Sequence, residues 1–154
     1  MAANLVSRYA HWLHLRWPAG RVEKLPVSGV DGVTNLAGVR VVGDLTGVPL
    51  LKLSSQSGAS AVRAILRESD FREAPRAEGE LDLVIIGGGV SGLSAALEAK
   101  KHGLSFLVLE AAQPFSTIQN FPRAKPIYTY PSDLEPASEL RLRANVKESL
   151  LEEL

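Results

Sequence analysis

A strand that runs directly into a glycine-rich turn and a helix most constrains how this chain of 154 residues folds. Residues 81–92 read LDLVIIGGGVSG, and the glycines have the spacing G-x-G-x-x-G. Gly87 permits a tight turn, Gly89 lets the backbone approach a phosphate, and Gly92 lets helix and strand pack closely. The start of the helix offers unpaired N–H groups and a positive dipole end to an anion. The predicted pyrophosphate site of a dinucleotide consists of Gly87, Gly88, Gly89, Val90, Ser91 and Gly92.

The residues that follow complete a β-α-β unit. Residues 84–86 (VII) have the apolar character of a strand buried on both faces. A helix is predicted over 91–102 with Gly103 as its stop, and a second strand over 104–109. Glu110 then follows Gly92 at about the 20 residues expected for an acid that binds ribose hydroxyls. The alternative is a β-α-β unit with a glycine turn and no ligand, which leaves the glycines and the acid unexplained.

Composition limits the classes of function. The chain has 17 basic and 17 acidic residues, so its formal net charge is zero and we predict no nucleic-acid or anionic-membrane partner. No apolar run has transmembrane length and the N-terminus lacks a signal pattern, which together predict a cytoplasmic protein. The absence of cysteine excludes a disulfide, a Cys-ligated metal and a C-x-x-C redox pair within this chain. Redox chemistry would therefore belong to a bound cofactor or to another polypeptide.

The termini are predicted to be helical. Residues 2–17 form an amphipathic pattern with an apolar face of Leu5, Tyr9, Trp12 and Leu13. His11 and His14 lie there without a third ligand nearby, so we predict no metal site. Five prolines between residues 114 and 136 predict a long ordered loop, and a last amphipathic helix begins at about Asn145.

A second strand–helix pair precedes the glycine-rich turn. Residues 38–44 (GVRVVGD) are predicted to form a strand that ends in Gly43-Asp44, and Pro49 is predicted to lie in the first turn of a helix that reaches about Arg67. Residues 69–80 have the charged composition of a linker. Strand 39–42, this helix and strand 83–86 would form a right-handed crossover. Asp44 would then lie at the carboxyl edge of the sheet, beside the glycines.

Three segments together resemble a known family. Residues 81–110 resemble the FAD-binding fingerprint of the pyridine nucleotide-disulfide oxidoreductase superfamily, and residues 34–62 are similar to its second flavin signature. Residues 115–131 (FSTIQNFPRAKPIYTYP) resemble the flavin-proximal loop of the thioredoxin-reductase-like branch, and its bacillithiol-disulfide-reductase-type members above all. The resemblance implies an α/β fold: the Rossmann-like parallel sheet of an FAD-binding domain, incomplete, with an N-terminal helix. It also implies FAD as cofactor and NAD(P)H as a donor bound through regions outside this chain.

The same resemblance implies roles for individual residues. Gly43 and Asp44 would bind a ribityl hydroxyl of FAD, Lys52 would lie near the pyrimidine edge of the flavin, and Asn120 would lie near the isoalloxazine. A cation at Lys52 would favour the negative charge of reduced flavin. Two ordinary alternatives stay open, because Asp44 could cap a helix and Lys52 could be a solvated surface lysine.

The order of the two signatures departs from the family pattern, in which the Gly-Asp signature follows the nicotinamide-binding domain. We expect residues 1–68 and 81–154, joined by the linker 69–80, to form one FAD-binding domain. In the alternative, the first 68 residues are the remnant of a preceding flavoprotein module, and their Gly-Asp strand serves another site. We also expect the chain to be an N-terminal portion of a longer protein.

The sequence thus predicts the FAD-binding core of a flavin-dependent NAD(P)H oxidoreductase. The chain has no second G-x-G-x-x-G and no disulfide, so we do not expect it to turn over alone. Two alternatives are an NAD-dependent dehydrogenase unit and a non-catalytic dinucleotide-binding or interaction module. An electron-acceptor partner and a homodimer stay open.

Overall fold

The computed structural model describes residues 8–9, 26–73 and 75–154. The helix predicted over 2–17, with His11 and His14, lies outside the described residues apart from 8 and 9, which are helical. The described helices and strands are α1 (Leu51–Ile65), α2 (Ser69–Glu73), β1 (Leu83–Ile86), α3 (Val90–Lys101), β2 (Phe106–Leu109), α4 (Ser116–Gln119) and α5 (Lys147–Glu153).

The predicted β-α-β unit is confirmed. β1 and β2 are parallel, with Leu83 opposite Phe106 and Ile86 opposite Leu109, and α3 connects them. Gly103 follows α3 with φ 71°, the left-handed conformation in which helices commonly end at glycine. The fold is therefore α/β, with a two-stranded parallel sheet that is consistent with an incomplete Rossmann-like domain.

Helices α1 and α3 pack closely against each other. A Cβ on Gly58 would overlap the carbonyl oxygen of Ser91, so only glycine permits this approach. The buried hydroxyls of Ser55 and Ser94 share a hydrogen bond of 2.9 Å across the same interface. Further along, Val62, Ala95 and Ala99 form a core against which the inner side of the sheet packs.

A second core surrounds the beginnings of the two long helices. Its buried members are Val90, Ile118, Ile127, Leu142 and Leu150, and Leu51 packs against them. The predicted long loop after residue 110 is confirmed, because up to residue 146 it contains only the single turn of α4. The predicted C-terminal helix is confirmed as α5, whose Leu150 is fully buried.

The predicted strand over 39–42 is wrong. Val41 N–H donates to the Gly32 carbonyl at 2.8 Å, and Arg40 forms an isolated antiparallel bridge with Val33. This segment therefore folds back on residues 32–33 instead of extending the described sheet, and the predicted crossover from strand 39–42 to β1 is wrong as well. Gly38 and Gly43 flank it with φ values of 74° and 75°, which interrupt an extended chain at both ends.

Two further details of the prediction change. The helix predicted to begin near Pro49 is confirmed as α1, but Leu50 is its N-cap, so Pro49 lies before the helix and not in its first turn. The linker 69–80 contains the short helix α2.

One face of the two-stranded sheet is not covered by any described helix or strand. Side chains on this outer face remain between 46 and 85 % exposed, namely those of Val84, Ile86, Leu107 and Leu109. Strands of a parallel sheet are ordinarily buried on both faces, so the part of the chain that the structure describes lacks the second layer that would cover this face. Among the described residues, no helix has the length and apolar character needed to cross a bilayer.

Candidate functional site

The glycine turn, residues 87–92, has the geometry that its sequence predicts. Gly87 has φ 103°, which L-residues with side chains rarely adopt. A Cβ on Gly92 would overlap the carbonyl oxygen of Gly87, so α3 approaches the end of β1 as closely as the chain allows. A Cβ at Gly89 would meet no atom within 4 Å apart from the adjoining backbone, so there is open space at the start of α3.

The start of α3 can bind an anion. Gly89 is the N-cap, and its carbonyl accepts the N–H of Leu93 at 2.9 Å. The N–H groups of the intervening residues 90–92 precede that first helical bond and have no acceptor within the helix. The open space at Gly89 lies at this end of the helix, where an anionic group such as a pyrophosphate can come close to the backbone.

Glu110 lies directly against the glycine turn. Its Oε2 accepts the Gly88 N–H at 2.5 Å, and its Oε1 accepts the Ala112 N–H at 3.0 Å. The Gly88 N–H and then that of Ala112 lower the pKa of the carboxyl below its ordinary value. Glu110 is therefore ionised at neutral pH, at the carboxyl end of β2 and next to the turn.

The loop after β2 contacts the other side of Gly88. Phe115 N–H donates to the Gly88 carbonyl at 2.9 Å, so both polar backbone groups of Gly88 are paired. Phe115 has φ 56° and precedes α4, a conformation that costs energy for a residue with a side chain. The turn is thus held by Glu110 on one side and by Phe115 on the other.

The second signature meets the first at Ser91. We call residues 43–46, a single 3-10 turn, the Gly-Asp turn. Gly43 is buried with φ 75°, and a Cβ there would overlap Ser91 Oγ. Thr46 Oγ1 donates to the Gly43 carbonyl at 2.8 Å and closes the turn. The Gly-Asp turn therefore lies against the first turn of α3.

Asp44 is held by α1 and does not cap it. Asp44 Oδ1 accepts a hydrogen bond from Ser54 Oγ at 2.6 Å. The Gly43 N–H donates to Ser57 Oγ at 2.8 Å, which anchors the same turn one helical turn further along. The N-cap of α1 is Leu50, and no side chain caps that helix end, so the capping alternative for Asp44 is wrong.

Lys52 is not a surface lysine. It is only 7 % exposed, and its Nζ donates to the carbonyls of Pro131 and Ser132 at 3.0 and 3.2 Å. The alternative of a solvated surface lysine is therefore wrong, because Lys52 is buried and hydrogen-bonds the beginning of α1 to the loop at residues 131–132. These are the contacts of the amine among the described residues, and neither involves the glycine turn.

Asn120 lies at the end of α4. Its N–H donates to the Ser116 carbonyl at 2.9 Å, and its exposed side chain hydrogen-bonds to no described residue. The neighbouring Phe121 packs against the second core, with Lys125 Nζ 4.3 Å from the centre of its ring. The structure thus brings Glu110 and Gly43 to the glycine turn, whereas the described contacts of Asn120 lie elsewhere.

Sequence reasoning missed Ser54, Ser57 and Phe115. A signal for the serines was available, because α1 carries serine at 54, 55, 57 and 60. Serine is a poorer helix former than alanine, so several in one helix interior suggest that the hydroxyls have partners. No comparable signal marks Phe115, which acts through its backbone N–H.

Comparison with known proteins supports a flavin site. Residues 82–121 match the model of the FAD binding domain family. The match spans β1, the glycine turn, α3, β2 and Glu110 and ends after α4. It supports the class of FAD-dependent oxidoreductases and a flavin-binding core. No curated protein and no solved structure is significantly similar to the chain.

Proposed function

We propose that this chain is the FAD-binding core of an NAD(P)H-dependent flavin oxidoreductase, and that its two signatures serve one FAD. The observation that carries this proposal is the contact between Gly43 and Ser91. A Gly-Asp turn left over from another module would have no reason to lie against the first turn of α3. The proposed contacts to FAD involve Gly43, Asp44, Lys52, Gly87, Gly88, Gly89, Val90, Ser91, Gly92, Glu110 and Asn120.

The proposed roles follow from position and charge. The pyrophosphate would accept hydrogen bonds from N–H groups at the start of α3, beside the open space at Gly89. Ionised Glu110 would accept hydrogen bonds from hydroxyls of the adenosine ribose, and Asp44 would accept one from a ribityl hydroxyl. When bound, FAD would supply the hydride chemistry.

The flavin end is proposed to lie near the start of α1. Lys52 Nζ holds the carbonyls of Pro131 and Ser132 there, so a buried positive charge lies where the flavin-proximal loop returns to the helix. Such a charge favours electron-rich, reduced flavin. In this proposal Asn120 approaches the isoalloxazine once FAD is bound. The thioredoxin-reductase-like branch remains part of the proposal, with NAD(P)H bound by regions outside this chain.

Release of the cofactor from purified protein tests the proposal. Wild type, Asp44→Ala and the control Asp70→Ala, which changes an exposed aspartate on α2, are heated, and the released nucleotide is identified by chromatography. We expect wild type and the control to release FAD. We expect Asp44→Ala to bind FAD at least about tenfold more weakly, the usual effect of losing a hydrogen bond to a charged group.

The other outcomes separate the alternatives. Colourless wild type that releases no flavin would overturn the proposal, and release of NAD instead would favour a dehydrogenase unit. If Asp44→Ala retains FAD as well as the control does, the Gly-Asp turn serves no flavin here and the single-site proposal fails.

A further inference from the structure

We propose that Ser54 positions Asp44 for flavin binding, with Ser57 holding the backbone of the same turn. This inference rests on the proposed FAD site and adds a positioning residue to it. Both serines lie within the segment 34–62 that resembles the second flavin signature, but neither belongs to the glycine turn or to the Gly-Asp turn. Both act from α1, a helix of 15 residues that packs against α3 and thereby has a fixed position relative to the pyrophosphate site.

The Ser54–Asp44 contact leaves one carboxylate oxygen for a ligand. Ser54 is 5 % exposed, and its Oγ donates to Asp44 Oδ1 at 2.6 Å, a short distance that is typical of a hydroxyl bound to a carboxylate. Asp44 itself is exposed, and among the described residues no other group hydrogen-bonds to its side chain. Ser54 thus fixes the rotation of the carboxylate, while Oδ2 remains able to accept a hydroxyl.

Ser57 fixes the backbone that carries this carboxylate. Its Oγ accepts the Gly43 N–H at 2.8 Å and donates to the Ser54 carbonyl at 2.8 Å, so both functions of the hydroxyl are used. On its other side Gly43 lies against Ser91. The Gly-Asp turn is therefore held between α1 and α3. Hydrogen bonds to Ser54 and Ser57 connect both its carboxylate and its backbone to α1.

The hydroxyl of Ser54 has little reason to be there for folding. Alanine is the better helix former at an interior position. The partner of the hydroxyl is an exposed carboxylate, which water can hydrate when the hydroxyl is removed, so little stability is lost. An aligned carboxylate, in contrast, binds a ligand hydroxyl without first losing rotational freedom. The network therefore has its main effect on ligand binding.

A double-mutant cycle in the full chain tests this role. The variants are Ser54→Ala, Asp44→Ala, the two combined, and the control Ser60→Ala, which removes a hydroxyl that accepts a hydrogen bond from Gln56 on the same helix. The dissociation constant for FAD is measured by titration of the apoprotein, and apoprotein stability by thermal unfolding. We expect Ser54→Ala to weaken FAD binding about 5- to 10-fold, and Ser60→Ala to leave it unchanged.

The combined variant separates positioning from a structural role. If Ser54 acts through Asp44, the double variant binds FAD no more weakly than Asp44→Ala alone, because there is no carboxylate left to orient. Apoprotein Tm should stay within about 2 °C of wild type in Ser54→Ala. Additive losses in the double variant, a large fall in apoprotein Tm, or a Ser54→Ala that binds like Ser60→Ala would each overturn the inference. Wild type that binds no FAD overturns the proposed function itself, which distinguishes the two failures.

Discussion

Gly89 and Gly92 lack a side chain for two different physical reasons. At Gly92 a Cβ would overlap the Gly87 carbonyl oxygen, so the glycine is needed for the protein to fold tightly. At Gly89 the space is open and φ is −81°, a value that any residue adopts, so folding makes no such demand. The proposed FAD, whose pyrophosphate would come close to this backbone, would explain the absent side chain at Gly89.

The two alanine substitutions should consequently separate binding from folding. Gly89→Ala should change the free energy of unfolding by less than about 0.5 kcal/mol, because the small cost of alanine at an N-cap is offset by the reduced freedom of the unfolded chain. It should weaken FAD binding at least about tenfold. Gly92→Ala should lower the free energy of unfolding by about 1–3 kcal/mol, as overpacking does. Urea unfolding of the apoproteins and FAD titration measure the two effects, and Gly89→Ala that binds FAD normally would remove Gly89 from the site.

At the scale of elements, α1 and α3 are joined by an ion pair between the partly exposed Arg63 and the buried Glu98. Glu98 on α3 is 2 % exposed, and its two carboxylate oxygens accept Arg63 Nε and Nη2 at 2.6 and 3.2 Å. His102 Nε2 lies 3.1 Å from Glu98 Oε1, and Arg63 also donates to the Ala137 carbonyl. The pair therefore fixes the two helices and the C-terminal loop relative to one another.

Replacement of Glu98 by glutamine should destabilise the protein in a pH-dependent way. The Arg63 guanidinium lowers the pKa of Glu98 below its ordinary value. Since the unfolded value is about 4.3, the contribution of the carboxylate is fully present above that pH and is lost as the pH falls through the folded pKa. We expect Glu98→Gln to lower the free energy of unfolding by about 2 kcal/mol at pH 7, and this difference to shrink below about pH 4. Urea unfolding from pH 3 to 8 measures it, with the exposed Glu78→Gln as control; a difference that stays constant down to pH 3 would contradict the prediction.

Elements with local signals were predictable, and those that depend on distant partners were not. The β-α-β unit, α1 and α5 follow from periodicity and from glycine stops within the segment itself. Residues 39–42 have the composition of a strand. Composition does not determine whether such a segment joins the sheet or, as here, pairs with residues 32–33. The same limit applies to the site: the glycine turn and Glu110 lie in one short segment, whereas the Ser54–Asp44 bond and the burial of Lys52 arise only when α1 and the loops meet.

On the scale of the whole molecule, the described sheet is packed on one face and exposed on the other. Its inner face packs through Leu83, Ile85 and Phe106 against the core between α1 and α3. Its outer face remains exposed at Val84 and Leu107, which lie opposite each other. The outer pair therefore contributes little to the stability of this chain, and it presents apolar surface to solvent.

Substitution of the outer pair should affect surface hydrophobicity and leave folding largely intact. We expect the double variant Val84→Thr with Leu107→Thr to change the free energy of unfolding by less than about 1 kcal/mol, as exposed substitutions do. The fluorescence of an apolar dye such as anilinonaphthalene sulfonate should fall, because less apolar surface is offered to it. The matched control Ile85→Thr, on the inner face, should lower the free energy of unfolding by about 2 kcal/mol. A double variant as unstable as the control would mean that another layer covers this face in solution.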